Sequence, residues 1–149
     1  METAFIIILG VILAGIYAVW EAKKTGVKKP AKSVNYKSTF LKKEDVELKW
    51  QEIEDNLKAG KPSNLSKAIL DGDKLIDEAL KELRMTGDTM GDRLKNAKNL
   101  FEQDLYSKIW EAHKLRNYIA HEMNAIINKS DVEEALRSFK EALVRLGKL

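Results

Sequence analysis

The chain has no cysteine. Disulfides and thiolate-ligated metals are therefore excluded, and nothing points to an oxidising compartment. It also lacks a glycine-rich phosphate loop, an H-E-x-x-H and a G-x-S-x-G. The usual signals of nucleoside triphosphatases, metalloproteases and serine hydrolases are thus missing. No stretch shows a convincing period of two, so strands are not required, and nothing repeats at a solenoid period. The acidic group Asp71, Asp73, Asp77 and Glu78 lacks the ligand spacing, central glycine and closing glutamate of an EF-hand. Lying on a helix, it reads as a solvated face. No cofactor and no metal are expected.

What the chain does have begins with an apolar run. Ala4–Trp20 carries no charge, and a helix of that length reaches roughly 25 Å, the short end of what spans a bilayer. Tyr17 and Trp20 close it, where amphipathic rings favour the headgroup layer. A cleaved signal peptide would want a basic region before the run, and the early charge here is Glu2. A buried core helix would show a polar side, and this run has none. Residues 1–20 are therefore expected to be a transmembrane anchor. Residues 21–43 follow with eight lysines against one glutamate, a basic juxtamembrane linker that puts the C-terminal side in the cytoplasm by the positive-inside rule. Its lysines suit an anionic inner leaflet, and serve equally as a plain topology signal. Residues 44–149 hold 18 Lys and Arg against 21 Asp and Glu. The folded part is mildly acidic, which argues against broad electrostatic binding of nucleic acid.

From Glu44 onward helical periodicity dominates. Val46, Trp50, Ile53 and Leu57 form one stripe that stops at Gly60. After the Lys61-Pro62-Ser63 turn, Ser63 or Asn64 can cap a second helix that puts Leu65, Ala68, Ile69, Ile76, Ala79, Leu80 and Leu83 on one face. Gly72 shares that face, where a mid-helix glycine costs about 1 kcal/mol and suggests close approach of a neighbouring helix. Residues 86–91 read as a loop and 92–101 as a short helix or turn. A long helix is expected over about Gln103–Ile127, with Leu105, Ala112, Leu115, Ile119, Met123, Ile126 and Ile127 facing the core. Ser130-x-x-Glu133 fits a capping box. It opens a last helix with Val132, Ala135, Leu136, Phe139, Leu143 and Leu146 inside. Four principal helices with connections of a few to about twenty residues make an all-α antiparallel bundle over residues 44–149.

One stretch differs in kind from the Lys/Glu faces around it. HKLRNYIAHEMN, residues 113–124, holds both histidines of the chain. At about 100° per residue, His113, Arg116, Asn117, Ala120, His121 and Asn124 form a band roughly 140° wide beside the core stripe. A guanidinium fork suits a phosphate, and an imidazole shuttles protons near neutral pH. Those parts suffice for metal-independent cleavage of RNA by its own 2′-OH. A polar helix–helix contact without chemistry accounts for the same spacing. Arg116 and His121 sit about 140° and roughly 7.5 Å apart on a straight helix. Two copies about a two-fold axis would bring them together more readily than one, with small Ala120 permitting close approach.

Arg116-Asn117-Tyr118-Ile119-Ala120-His121, in the setting IWEAHKLRNYIAHE, resembles the HEPN signature: an arginine, a polar residue, then a histidine a few positions on, on the third helix of an α-bundle. The resemblance covers roughly 44–149. It implies a HEPN-like bundle, a homodimer with a composite cleft, and, in active members, metal-independent endoribonuclease activity. Arg116 would hold the phosphate, His121 would transfer protons or orient the phosphate, and Asn117 would support the site. His113 and Asn124 lie outside the motif and are expected only as supporting residues. The family also holds non-catalytic members, so a dimerisation or partner-binding module, with an antitoxin or another protein as partner, is the alternative expectation.

Overall fold

The computed structural model describes residues 41–149. The expected anchor at 1–20, and the linker up to residue 40, lie outside the described residues. Among the described residues the secondary structure is entirely helical, and no helix is long and apolar enough to cross a membrane. Five α-helices are α1 (Lys43–Ala59), α2 (Pro62–Glu82), α3 (Met90–Asn96), α4 (Gln103–His121) and α5 (Lys129–Arg145), with a 3-10 turn at Lys98–Leu100 between α3 and α4.

The helices form where the apolar stripes place them. Val46, Trp50 and Ile53 of α1 are buried, and Gly60 in the left-handed region (φ 70°) ends that helix. Pro62 occupies the first turn of α2, where its missing N–H costs nothing. The cap is Lys61 and contributes no side-chain hydrogen bond; Ser63 and Asn64 lie inside the helix instead. Asn64 is used elsewhere: its Nδ2 donates to Asn56 Oδ1 at 2.9 Å and ties α2 back to α1. At its other end α2 closes with Arg84 at φ 58° and the bonds Arg84 N–H to Lys81 O and Met85 N–H to Leu80 O, the paired pattern of a Schellman motif without its usual glycine.

Helix α2 is the central element and packs against each of the other four. Its close approach to α5 explains Gly72. A Cβ there would stand 2.9 Å from Leu136 Cδ2 and 3.0 Å from Phe139 Cδ2, and Phe139 is fully buried. Across the bundle, α5 meets α1 through a polar clasp. Glu54 Oε1 accepts from Lys140 Nζ at 2.7 Å and from Trp50 Nε1 at 2.9 Å, with the ammonium 5.8 Å from the Trp50 ring centroid.

Besides the α2 cap, further expectations fail locally, and Leu83, just past the last turn of α2, is 38% exposed rather than on its core face. The loop assigned to 86–91 is already helical from Met90, because Thr89 forms a capping box with Asp92: Thr89 Oγ1 accepts from Asp92 N–H at 3.1 Å and Asp92 Oδ2 accepts from Thr89 N–H at 3.3 Å. The box expected at Ser130–Glu133 does not form. Helix α5 starts at Lys129, Ser130 faces Asp131, and Glu133 pairs with Lys129 at 3.8 Å. Helix α4 ends at His121 rather than Ile127, and residues 122–128 make the reversal into α5. Tyr118 Oη accepts from Ile126 N–H at 3.3 Å, folding the segment back over the last turn. Ile127 still packs on the core, but Met123 and Ile126 are exposed at 97% and 75%. Reversing the chain takes a few non-helical residues, and apolar side chains in that reversal lose their stripe.

Gly72→Ala gains helix propensity of about 1 kcal/mol but drives a methyl into Leu136 and Phe139. The net expectation is a loss of about 1 kcal/mol or more, read as a lower urea midpoint at unchanged slope. The hydrogen bond from Lys140 holds the Glu54 carboxyl below the ordinary glutamate range. Its contribution is therefore complete above the unfolded-state value and is lost as pH falls below about 4.5 and through the lowered folded value. Glu54→Gln is expected to cost up to about 1 kcal/mol at pH 7 and progressively less as pH falls below the unfolded-state range, which urea unfolding across that range checks.

Candidate functional site

The site begins with a carboxylate on the wrong side of a helix. Asp73 follows Ile69 by four residues and precedes Ile76 by three, so it lies on the apolar side of α2 and is 3% exposed. A carboxylate in that position requires donors and a counter-charge. Helix α4 supplies both. His113 Nδ1 lies 2.7 Å from Asp73 Oδ1, and Arg116 Nε lies 3.3 Å from Asp73 Oδ2. The arginine contact is a contact of charges: its Nε–H is not aimed at the oxygen and is otherwise unpartnered.

Asn117 closes the ring. Its Oδ1 accepts from Arg116 Nη1 at 2.8 Å, and its Nδ2 faces His113 Nε2 at 3.1 Å. These contacts assign every proton. Arginine only donates, so Asn117 must turn its oxygen to Arg116 and its amino group to His113. His113 Nε2 is then an acceptor, and Nδ1 carries the proton donated to Asp73. The imidazole in this arrangement is neutral. Trp110 stands edge-on to His113 at 5.8 Å between centroids. Gly91 roofs both: a Cβ there would stand 3.3 Å from Trp110 Cη2 and 3.5 Å from His113 Nε2.

Asp73, His113, Arg116, Asn117 and His121 all line one open cleft of roughly 640 Å³ between α2, the start of α3 and α4. His121, the last residue of α4, is exposed at its rim. A single chain thus carries Arg116 and His121 on the same cleft, even though they diverge around the helix. Arg116 reaches it with about a third of its side chain exposed, and Nη1 goes to Asn117. Asn124 does not join them. The helix that would have carried it stops three residues earlier, and it lies exposed in the reversal.

The acidic group of α2 is not the solvated face that the sequence suggested. Besides Asp73, Asp77 is largely buried and accepts from Arg93 Nε at 2.7 Å, with Lys81 on its other oxygen. Arg93, 8% exposed, also donates to Gly87 O and so staples the 84–89 loop and α3 against α2. Asp71 and Glu78 are more exposed and pair with Lys67 and Lys74 along the helix. The signal for Asp73 was available: it falls within the stripe Leu65, Ile69, Ile76, Leu80, where an acid must be buried. Its partners, 40 and 43 positions further on, were not.

Chemically, the cleft offers a guanidinium held at one edge, an exposed imidazole at the rim, and a neutral histidine oriented by a buried carboxylate. The chain matches no protein-family model, no curated protein and no solved structure.

The two buried acids differ in what their loss strands. Asp73→Asn leaves Arg116, which reaches water, whereas Asp77→Asn leaves Arg93 buried with half of its contacts. Urea unfolding is expected to show about 1–3 kcal/mol lost for Asp73→Asn and about 3 kcal/mol or more for Asp77→Asn.

Proposed function

We propose that residues 44–149 form a HEPN-like module, held by the N-terminal segment at the cytoplasmic face of a membrane, that acts as a metal-independent endoribonuclease in homodimeric form. The observation that carries this reading is the meeting of Arg116, Asn117 and His121, the three positions of the resemblance, on one cleft. The guanidinium would hold the scissile phosphate and stabilise its growing charge. The 2′-OH of the preceding nucleotide would attack that phosphorus, giving up its proton to a base, while the 5′-oxygen leaves with a proton. His121 would serve one of these transfers, and a second copy's His121 would serve the other. Asp73, His113 and Asn117 act behind Arg116 as positioning residues.

A non-catalytic partner-binding module is favoured by a separate observation. Tyr118, Met123 and Ile126 expose apolar surface beside the end of α4, a feature more common at protein interfaces than on inert surface.

The full chain in detergent, incubated with single-stranded and transfer RNA in EDTA, separates the two. The ribonuclease reading expects cleavage that falls by about 10²-fold or more in Arg116→Ala and His121→Ala. Should wild type and variants leave both RNAs equally intact, it is wrong for these substrates. The partner-binding reading then expects Met123→Asp or Ile126→Asp to change self-association, measured by analytical ultracentrifugation.

A further inference from the structure

The ring around Asp73 contains one buried negative charge and two groups able to balance it. With His113 neutral, Arg116 is the nearby cation, 3.3 Å away and without a proper hydrogen bond. His113 makes the shorter contact, 2.7 Å. A proton added to His113 Nε2 would place the full counter-charge on the better-aligned partner. It would also turn Nε2 from an acceptor into a donor, 3.1 Å from the Asn117 amino group. Two donors cannot face each other at that distance, so the amide must flip. The flipped amide then presents its NH₂ to Arg116 Nη1, which only donates. Arg116 loses its hydrogen bond to Asn117, and the imidazolium competes with it for Asp73. The direction left to it is the cleft, where it is already partly exposed.

We propose that the cleft takes up a phosphate-type anion together with a proton, protonated His113 replacing Arg116 as the counter-ion of Asp73 so that Arg116 turns to the ligand. This rests on the reading of Arg116 as the phosphate-holding group, and it adds how that group is switched. The proton comes from solvent and stays on Nε2, so no covalent step is involved. The charges that face His113 agree with the exchange. From α2 these are Asp73 in contact and Asp71, Lys74 and Asp77 along the same cleft; α3 brings the uncharged Gly91, with Met90 and Thr89 beside it. Helix α4 brings Arg116 and the rim His121. Asp71 and Asp77 already have Lys67, Lys81 and Arg93 as partners, so Asp73 is the carboxylate whose counter-ion can be exchanged. By reciprocity the anion must also favour the protonated ring.

The test uses the full chain in detergent, carrying His121→Asn so that His113 is the remaining histidine. Sulfate is the probe, because inorganic phosphate changes its own charge within the pH range of the titration. Nitrogen NMR of His113, the Asn117 amide and Arg116 Nε–H is followed from about pH 8 to about pH 5. At the upper end His113 should carry its proton on Nδ1 alone. On acidification the three sets of signals should move with one midpoint, sulfate should bind about tenfold more tightly, and its presence should raise that midpoint. His113→Gln should abolish the pH dependence of sulfate binding in a chain whose circular dichroism is unchanged. Should that variant not fold, the shared midpoint decides the matter. The proposal is overturned if Arg116 and Asn117 signals stay still while His113 titrates, or if sulfate affinity does not change with pH. None of these readouts needs RNA cleavage, so an inactive enzyme leaves the exchange to stand or fall by itself.

Discussion

A carboxylate placed inside a helical bundle has to be answered, and the answer at Asp73 organises one whole side of this domain. His113 and Arg116 come from one turn of α4 because both must reach the same acid. Asn117 sits on the next position and orients both of its neighbours at once. The cost of burying that charge fixes the rotation of α4 about its own axis. That rotation brings Asn117 and His121 to the cleft wall.

The neighbouring acid shows a different use of the same physics. Asp77 is answered by Arg93, which is almost wholly buried and gives Nη1 to the backbone of Gly87. That pair is a fixture: it fastens a glycine-bearing loop and the short α3 so that Met90 and Gly91 can close over the cleft. Asp73 has a partner that is only partly buried, and one of its contacts is out of line. The difference between the fixture and the adjustable contact lies in solvent access to the cation.

Most of the fold could be read from apolar spacing. The stripes of α1, α2 and α5 face the core as written, down to Gly72 as a point of helix contact, save at their ends: Leu83 is exposed, and Leu57 and Leu146 are only partly buried. The errors fell where one local signal competed with another or with tertiary demands. Ser130 and Glu133 had the right letters for a capping box, yet Asn128 and Lys129 were already being drawn into α5. Thr89 and Asp92 supplied a box that helical pattern alone did not mark. The α4 stripe continued on paper through Met123 and Ile126, but the chain had to turn. At the site, Arg116, Asn117, His113 and His121 were legible as an odd band on one helix. Asp73, which gives the band its arrangement, stood within the apolar stripe of α2 among acids that resemble a wet surface, and its partners were hidden because helix-to-helix pairing across 40 residues leaves no trace in local spacing.

Gly72 and Asp73 are adjacent in sequence and look in different directions, one onto Leu136 and Phe139 of α5, the other onto His113 and Arg116 of α4. Because one stretch of backbone serves both, the depth at which α5 seats sets the position of the carboxylate. Substitutions in the core of the bundle, at Leu136 or Phe139 of α5, therefore act on the cleft without touching it. In divergent copies of such a chain, a larger residue at 72 would have to arrive together with a smaller one on α5, or the ring around position 73 would have to be rebuilt. The cleft inherits its precision from the packing of the adjoining residue of α2 against α5.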